Sequence, residues 1–440
     1  MPDDLNAPSP LVARIYRYLI RGRVAERLPP IRKQTSGYSQ FLHYFSDAVA
    51  FGPSQQMLAL EEVYQAAVQR ETTGDEGVID LFIGDPAFGN FTAEEMAALA
   101  PADARYPPWF GLDELRQLVA TAMAREDGVT YKAQDEVVIT AGASQAINAA
   151  VQCFCNPGDK VVLFDPSYLF YYYSLRMQRA HIAWVPTALT DDGIDVDWAA
   201  LERALRRARM LFINSPCNPT GGLFSPAALH RIVEMAARHD VLIVSDEVYN
   251  RFVYQGRFQA TALCPKAFER TITIRSLSKE YGMAGFRVGW MAAPEGLMRP
   301  LKMHHVVASI YVPNICQQLA LRVLSAPDRD ARRVLPEYRR RREIVARELK
   351  SLGFDVTPPQ GAFYFWFRIP PQFDNAMDFV MRLLEEERVL LMPGNYFGPS
   401  GRFYVRLSLS APTENLSRAM SRIAAFMGRI RAGAMTQEKR

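Results

Sequence analysis

Residues 271–290 read TITIRSLSKEYGMAGFRVGW, and this stretch decides the fold. Its first five residues form a short run rich in β-branched side chains, which is typical of a buried strand. The run stops at Ser276, and polar residues lead to Lys279 and then to glycines at 282, 285 and 289. The stretch therefore predicts a strand whose carboxyl end carries a lysine.

Four further apolar runs repeat this pattern, and segments of helical texture such as 226–239 separate them. They are 136–140 (EVVIT), 160–164 (KVVLF), 210–214 (MLFIN) and 241–245 (VLIVS). Continuous apolar strands that alternate with helices predict an α/β fold with a mostly parallel sheet covered on both faces. Ligands of such sheets bind beyond the carboxyl ends of the strands.

Polar residues follow these strands directly. Asp246 and Tyr249 come after 241–245, Asn218 follows 210–214 within SPCNPTG, and Gly142-Ala143-Ser144 follows 136–140. Because the carboxyl ends of parallel strands meet at one edge of a sheet, these residues are expected to form one cluster around Lys279.

Lysine chemistry has few candidates, because only eight of the 51 basic residues are lysines. The other seven lie in end segments, polar loops or helices, or open a strand: Lys33, Lys132, Lys160, Lys266, Lys302, Lys350 and Lys439. Lys279 alone follows an apolar strand. An amine held there near Arg287 would have a lowered pKa and would act as a nucleophile toward an aldehyde.

The segment SLSKEYGMAGFRVGW (276–290) resembles the cofactor-lysine motif of the class I/II aminotransferases, which are pyridoxal-5′-phosphate (PLP) enzymes of fold type I. The resemblance covers roughly residues 78–425. It implies a large PLP-binding domain with a mostly parallel sheet and a smaller α+β domain. It also implies transfer of an amino group between an amino acid and a 2-oxo acid.

The resemblance assigns roles around the cofactor ring. Lys279 forms an imine with PLP and then shuttles the proton, while Asp246 pairs with the pyridinium nitrogen and keeps the ring an electron sink. Tyr249 and Asn218 hydrogen-bond the phenolic oxygen of the ring. Tyr168, in DPSY, stacks on the ring.

The resemblance also assigns ligands to the phosphate. These are the helix start Gly142, Ala143 and Ser144, together with Ser276 and Arg287, which supply N–H groups and fixed charge. Tyr106, in YPPWFGL, resembles the tyrosine that reaches the phosphate of the neighbouring subunit, which implies a homodimer.

Substrate contacts follow from two further motifs. Arg406, in YVRLS, resembles the arginine that holds the substrate carboxylate in bidentate fashion, next to Asn218. Gly84, in IGDP, matches the glycine close to the substrate. Dicarboxylate-specific members of the family carry a distal arginine upstream of a serine that aligns with Ser309. In this chain the position of that arginine falls near His305, which puts aspartate or glutamate as the preferred donor in question.

The chain is expected to divide into an N-terminal extension (1–75), a large PLP-binding domain (98–330) and a small domain made of 76–97 with 331–440. Helical patterns at 15–28 and 58–69 lie in the extension. The small domain is expected to contain a helix at 336–352 and short strands around 362–367 and 403–409.

Composition excludes several other classes. The net charge is +4 in 440 residues, without a concentrated basic face, so no nucleic-acid partner is expected. No apolar run approaches 18 residues, so no membrane span is expected. Five scattered cysteines and six unpatterned histidines predict no disulfide framework and no metal site, and they fit the cytoplasm.

Two alternatives stand beside transamination: another PLP reaction on the same scaffold, and a non-catalytic relative of the fold. Other PLP reactions on the same scaffold would use the same residues; these are a γ-elimination and cyclisation resembling 1-aminocyclopropane-1-carboxylate synthase, a β-lyase reaction and an oxidation. A non-catalytic relative of the fold is disfavoured by the intact Lys279 and Arg406. A dinucleotide enzyme is disfavoured because no G-x-G-x-x-G opens a helix after a strand.

Overall fold

An eight-stranded sheet organises the part of the chain that the computed structural model describes, which comprises residues 77–86, 88, 105–326 and 330–437. The expected extension and its helices at 15–28 and 58–69 lie outside the described residues. The strands, in chain order, are β1 Ile79–Asp80, β2 Val137–Thr140, β3 Lys160–Asp165, β4 His181–Thr190, β5 Gly193–Val196, β6 Ala208–Asn214, β7 Leu242–Asp246, β8 Thr271–Ser276, β9 Gly289–Ala292, β10 Tyr364–Arg368, β11 Val389–Leu390, β12 Met392–Pro393 and β13 Tyr404–Ser408.

The order of the large sheet is β2-β9-β8-β7-β6-β3-β4-β5. Strands β8, β7, β6, β3 and β4 are parallel to their neighbours in this series, whereas β9 and β5 run antiparallel to theirs. The prediction of a mostly parallel sheet is confirmed, and the five predicted strands are present with ends shifted by at most two residues. Strand β4 is not visible as an apolar run in the sequence, because Pro186 interrupts it and several of its side chains are exposed.

Helices cover both faces of this sheet. The helices of the described residues, in chain order, are α1 Asp113–Asp127, α2 Ala133–Glu136, α3 Gly142–Phe154, α4 Leu169–Met177, α5 Trp198–Leu205, α6 Pro226–Arg238, α7 Leu277–Glu280, α8 Glu295–Ala308, α9 Asn314–Leu324, α10 Leu335–Ser351, α11 Ala376–Glu387 and α12 Thr413–Gln437, of which the last three pack with the smaller sheet described below. Helix α6 starts where expected, because the Ser225 side chain accepts a hydrogen bond from the Ala228 N–H and Pro226 occupies the first turn. No helix among the described residues is long and apolar enough to cross a membrane.

A smaller antiparallel sheet, in the order β10-β13-β12, packs with helices α10, α11 and α12. Strand β10 begins at Tyr364 rather than at 362, because Ala362 adopts a left-handed conformation with φ 51° that a strand cannot contain. At the N-terminal end of the described residues, strand β1 pairs in parallel with β11. The domain boundaries stay a prediction. The β1–β11 pairing bears on them because it joins the segment 76–97 to the segment 331–440, which are expected to form the small domain together.

A close approach of backbones joins strand β9 to the start of helix α3. A Cβ atom added at Gly289 would lie 2.8 Å from the Arg275 carbonyl oxygen, 2.9 Å from the Gly142 carbonyl carbon and 3.0 Å from the Ala143 nitrogen. All three atoms belong to the backbone, so side-chain rotation cannot relieve the overlap.

We therefore expect Gly289→Ala to lower the free energy of unfolding by about 1–3 kcal/mol, the usual range for overpacking. Urea unfolding followed by circular dichroism measures this change. The matched control is Gly296→Ala in helix α8, because a Cβ there meets nothing within 4 Å. Equal stability of the two variants would contradict the close approach.

Candidate active site

The carboxyl ends of the parallel strands open into one pocket. Eight of the residues singled out from the sequence line it: Ala143, Ser144, Tyr168, Asp246, Tyr249, Ser276, Lys279 and Arg287. Topology explains the cluster, because β6, β7 and β8 are adjacent parallel strands and helix α3 starts at the same edge.

Lys279 lies in the short helix α7, directly after β8. Its Nζ donates a hydrogen bond to the Gly84 carbonyl oxygen at 2.5 Å. The pKa of Lys279 is lowered to about 8, chiefly by burial; the Asp85 carboxylate opposes this shift, and the guanidinium groups of Arg406 and Arg287 contribute to it. At pH 7 roughly a tenth of this amine is therefore unprotonated, far more than for an ordinary lysine.

Asp246 ends strand β7 and is buried. The Tyr171 hydroxyl donates to Asp246 Oδ2 at 2.5 Å, and the Val248 N–H donates to Oδ1 at 3.3 Å. Burial raises the pKa of Asp246 to about 6, and these hydrogen bonds oppose the rise. The carboxylate thus remains largely ionised at neutral pH. Tyr171 escapes sequence reasoning, because it sits in the aromatic run 170–173 that has the texture of a core.

A chain of polar contacts joins the other predicted residues. Arg406 Nη1 donates to Asn218 Oδ1 at 2.8 Å, and Asn218 Nδ2 donates to the Tyr249 hydroxyl at 3.4 Å. The Tyr249 hydroxyl lies 3.1 Å from the Tyr364 hydroxyl. Tyr364, in the small-sheet strand β10, is therefore a further site residue, in a segment (361–364) that resembles the substrate-facing strand of the class I/II aminotransferases.

Arg406 is buried and held from several sides. Its Nη2 donates to the Phe82 carbonyl oxygen at 2.6 Å, and its guanidinium carbon lies 4.4 Å from the centre of the Tyr364 ring. Among the described residues, the buried Nε atom of Arg406 has no hydrogen-bond partner. Such an orphaned donor on a fixed guanidinium fits a carboxylate ligand.

Gly84 lies where a side chain cannot fit. A Cβ atom at this position would overlap the Tyr364 hydroxyl. Glycine therefore lets the backbone carbonyl that accepts from Lys279 approach the pocket.

The phosphate end of the expected site is formed by the start of helix α3. Gly142 has φ +75°, and a Cβ there would lie 2.5 Å from Arg287 Nη2. The Ser276 hydroxyl donates to the Val288 carbonyl at 2.9 Å and accepts from the Ser278 N–H at 3.1 Å. This arrangement combines helix N–H groups, a hydroxyl and a guanidinium, which is the donor set that a phosphate dianion requires.

Tyr106 and His305, two residues singled out from the sequence, lie outside the pocket. Tyr106 does not line the pocket of its own chain; it is 83% exposed, and its ring stacks on Tyr311 with 4.8 Å between ring centres. His305, near the position of the distal arginine of dicarboxylate-specific members, is buried, with both ring nitrogens engaged by Gln145 and the Trp109 carbonyl. His305 therefore offers no free cation to a substrate.

Buried ion pairs lie next to the pocket residues in sequence. Arg275 contacts Glu247 at 2.8 Å and Asp127 at 2.7 Å. Arg251 contacts Glu126 at 2.5 Å and Asp330 at 2.9 Å. Asp246, the last residue of β7, lines the pocket, whereas the next residue, Glu247, does not line it and binds Arg275 instead.

Comparison with known proteins gives a family match. The profile described as aminotransferase class I and II matches residues 76–423. This chain belongs to that family. The predicted fold type I architecture and the predicted class of enzyme, a PLP-dependent transaminase, are thereby confirmed.

Relatives of different names are similar to the chain at nearly the same level. The putative aminotransferase YugH of Bacillus subtilis is 32% identical over 356 residues, which is 80% of this chain and 92% of the relative. The arginine–pyruvate transaminase AruH of Pseudomonas aeruginosa is 32% identical over 368 residues, covering 82% and 93%. The solved aromatic aminotransferase of Pyrococcus horikoshii has a TM-score of 0.76 and 30% identity, covering 83% and 99%. Similarity alone therefore does not select the amino donor.

The electrostatics of Lys279 can be tested on protein freed of cofactor. We expect labelling of Lys279 by an amine-selective reagent to reach half its maximum rate near pH 8. Since the Asp85 carboxylate raises the pKa of Lys279, Asp85→Asn should move this midpoint to lower pH. Peptide mass spectrometry measures the label at Lys279, and an unchanged midpoint in Asp85→Asn would disprove the influence of Asp85.

Proposed function

We propose that this chain is a homodimeric aminotransferase that binds PLP covalently through Lys279 and exchanges an amino group between an α-amino acid and a 2-oxo acid. The observation that carries the proposal is the buried Lys279 amine, with a pKa lowered to about 8, which lines one pocket with the ionised Asp246.

The described residues suit the chemical groups of PLP. When bound, PLP supplies an electron sink that stabilises negative charge at the substrate α-carbon. Asp246, oriented by Tyr171, would hold a proton on the pyridine nitrogen. Tyr249 and Asn218 would bind the phenolic oxygen, and Tyr168 would cover the face of the ring.

The phosphate would bind at the opposite end of the pocket. The first N–H groups of helix α3, the Ser144 and Ser276 hydroxyls and the Arg287 guanidinium supply its ligands. Ala143 has no side-chain donor, so it would contribute its backbone N–H.

Substrate binding would depend on Arg406. Its guanidinium is fixed by Asn218, Phe82 and Tyr364, and its unpaired Nε provides a donor for a carboxylate oxygen. Lys279 Nζ, once displaced by the substrate amine, would take up and return the proton of the α-carbon. A pKa of about 8 suits both directions of that transfer.

An exposed apolar surface supports the homodimer. Tyr106, Val307, Met303 and Trp109 are 83%, 82%, 68% and 55% exposed and belong to neighbouring segments, since His305 of helix α8 bonds to the Trp109 carbonyl. A second copy of the chain covering this surface would receive Tyr106 at its own phosphate site. The five free cysteines support a location in the reducing cytoplasm.

Other PLP reactions remain the second candidate. They would use the same lysine, carboxylate and arginine, so the described residues do not separate them from transamination. We also retain the division into a large domain (98–330) and a small domain (76–97 with 331–440) as a proposal, which the β1–β11 pairing supports.

Covalent attachment is tested by reduction. Borohydride treatment of the yellow holoenzyme should fix the cofactor on Lys279, as read from the mass of the peptide. Lys279→Ala should lose activity by at least about 10²–10⁴-fold through loss of proton transfer alone. The control is Lys302→Ala, whose partly buried amine bonds to the Gln134 carbonyl outside the pocket. Attachment to another lysine, or an active Lys279→Ala enzyme, would refute the proposal.

The role of Tyr106 is tested with hybrid dimers. Tyr106→Phe should weaken PLP binding, because it removes a hydroxyl from the partner's phosphate site. In a hybrid of Lys279→Ala and Tyr106→Phe subunits, one site carries both changes and the other is intact. Activity at limiting PLP should therefore rise above that of either parent dimer. No rise on mixing would mean that Tyr106 does not act across subunits.

A further inference from the structure

The Gln145 side chain connects the expected phosphate turn to the rest of the protein. The Ala141 N–H donates to Gln145 Oε1 at 2.6 Å. This contact fixes the orientation of the amide, because a backbone N–H can bond only to the oxygen. Gln145 Nε2 therefore faces the other way, 3.2 Å from His305 Nδ1 and 2.5 Å from Ser309 Oγ. Both N–H groups and the oxygen of the amide are engaged.

The ring of His305 has one tautomer that satisfies these contacts. Its Nδ1 must accept from Gln145, so the proton sits on Nε2, which donates to the Trp109 carbonyl at 2.9 Å. His305 is 1% exposed, and burial lowers its pKa, which keeps the ring neutral. His305 thus holds the Gln145 amide in place.

The start of helix α3 lacks a capping side chain. Its N-cap residue is Ala141, which has no side-chain oxygen to cap the first N–H groups. Those groups stay available to a ligand, while the turn itself still needs to be held. Gln145 reaches back to the Ala141 N–H and holds the turn without occupying the N–H groups of residues 142–144.

We propose that Gln145 is a positioning residue for the cofactor phosphate, held in orientation by His305 and Ser309. The inference rests on the proposed function, since it assumes that the start of helix α3 binds the phosphate of PLP. The same contacts tie this turn to the segment at Trp109, which follows Tyr106. A single, partly buried network therefore supports both the turn of one site and the segment expected to reach the partner.

The test compares PLP with pyridoxal, which lacks the phosphate. Apo-protein is titrated with each aldehyde, and the ratio of the two dissociation constants isolates the phosphate contribution. Gln145→Ala should weaken PLP binding by about tenfold, the equivalent of one or two hydrogen bonds, and should leave pyridoxal binding unchanged.

Gln360→Ala is the matched control. The buried Gln360 amide accepts from the Leu223 N–H at 3.1 Å and donates to the Thr190 and Asp191 carbonyls at 3.1 and 2.9 Å, away from helix α3. Gln360→Ala should lower the stability of the fold without changing the ratio of the dissociation constants for PLP and pyridoxal. An equal drop in the ratio for both variants, or an unchanged ratio in Gln145→Ala, overturns the inference.

Two substitutions of His305 separate the arms of the network and remain informative if Gln145→Ala does not fold. Asparagine can place an acceptor near the Nδ1 position, whereas glutamine can place a donor near the Nε2 position. His305→Asn should therefore keep the preference for PLP, and His305→Gln should lose it. The reverse order overturns the role of His305. A wild-type protein without preference for PLP over pyridoxal instead refutes the proposed function itself.

Discussion

The burial of two ionisable groups at adjacent strand ends is the constraint on which the site depends. Desolvation penalises the charged form of each group, so it raises the pKa of Asp246 to about 6 and lowers that of Lys279 to about 8. Each group is stabilised by a neutral partner, the Tyr171 hydroxyl or the Gly84 carbonyl. The pocket therefore holds an ionised acid and a readily deprotonated amine at the same pH, which suits proton transfer at a carbon atom.

Charges behind the pocket keep these groups in place. Arg275 precedes Ser276 in β8 and pairs with Glu247, the residue directly after the end of β7 at Asp246. The two strand ends are thus joined by a buried ion pair whose residues do not line the pocket. Removing one partner of such a pair leaves an uncompensated charge, which typically costs about 3–5 kcal/mol. The positions of Asp246 and Lys279 therefore depend on residues that do not line the pocket.

The fold and most of the site follow from local pattern. The five apolar strands and the polar residues after them are visible as runs of sequence, and parallel pairing brings their ends together. Residues whose role arises from distant contacts escape such reasoning. Tyr171 lies in an aromatic run that patterns as core, and the partner of Gln145 is His305, 160 positions away. The amino donor is also undecided by pattern, because relatives with different substrates in their names match the chain equally well.

The fate of the amino nitrogen tests the central claim most directly. Stoichiometric holoenzyme is mixed with ¹⁵N-labelled amino acids, separated from them, and then given an unlabelled 2-oxo acid. If the chain is a transaminase, ¹⁵N stays with the enzyme-bound cofactor after the first step and appears in the newly formed amino acid after the second. Label released as ammonia, or found only in the donor and products derived from its own skeleton, would contradict transamination and favour elimination, cyclisation or oxidation.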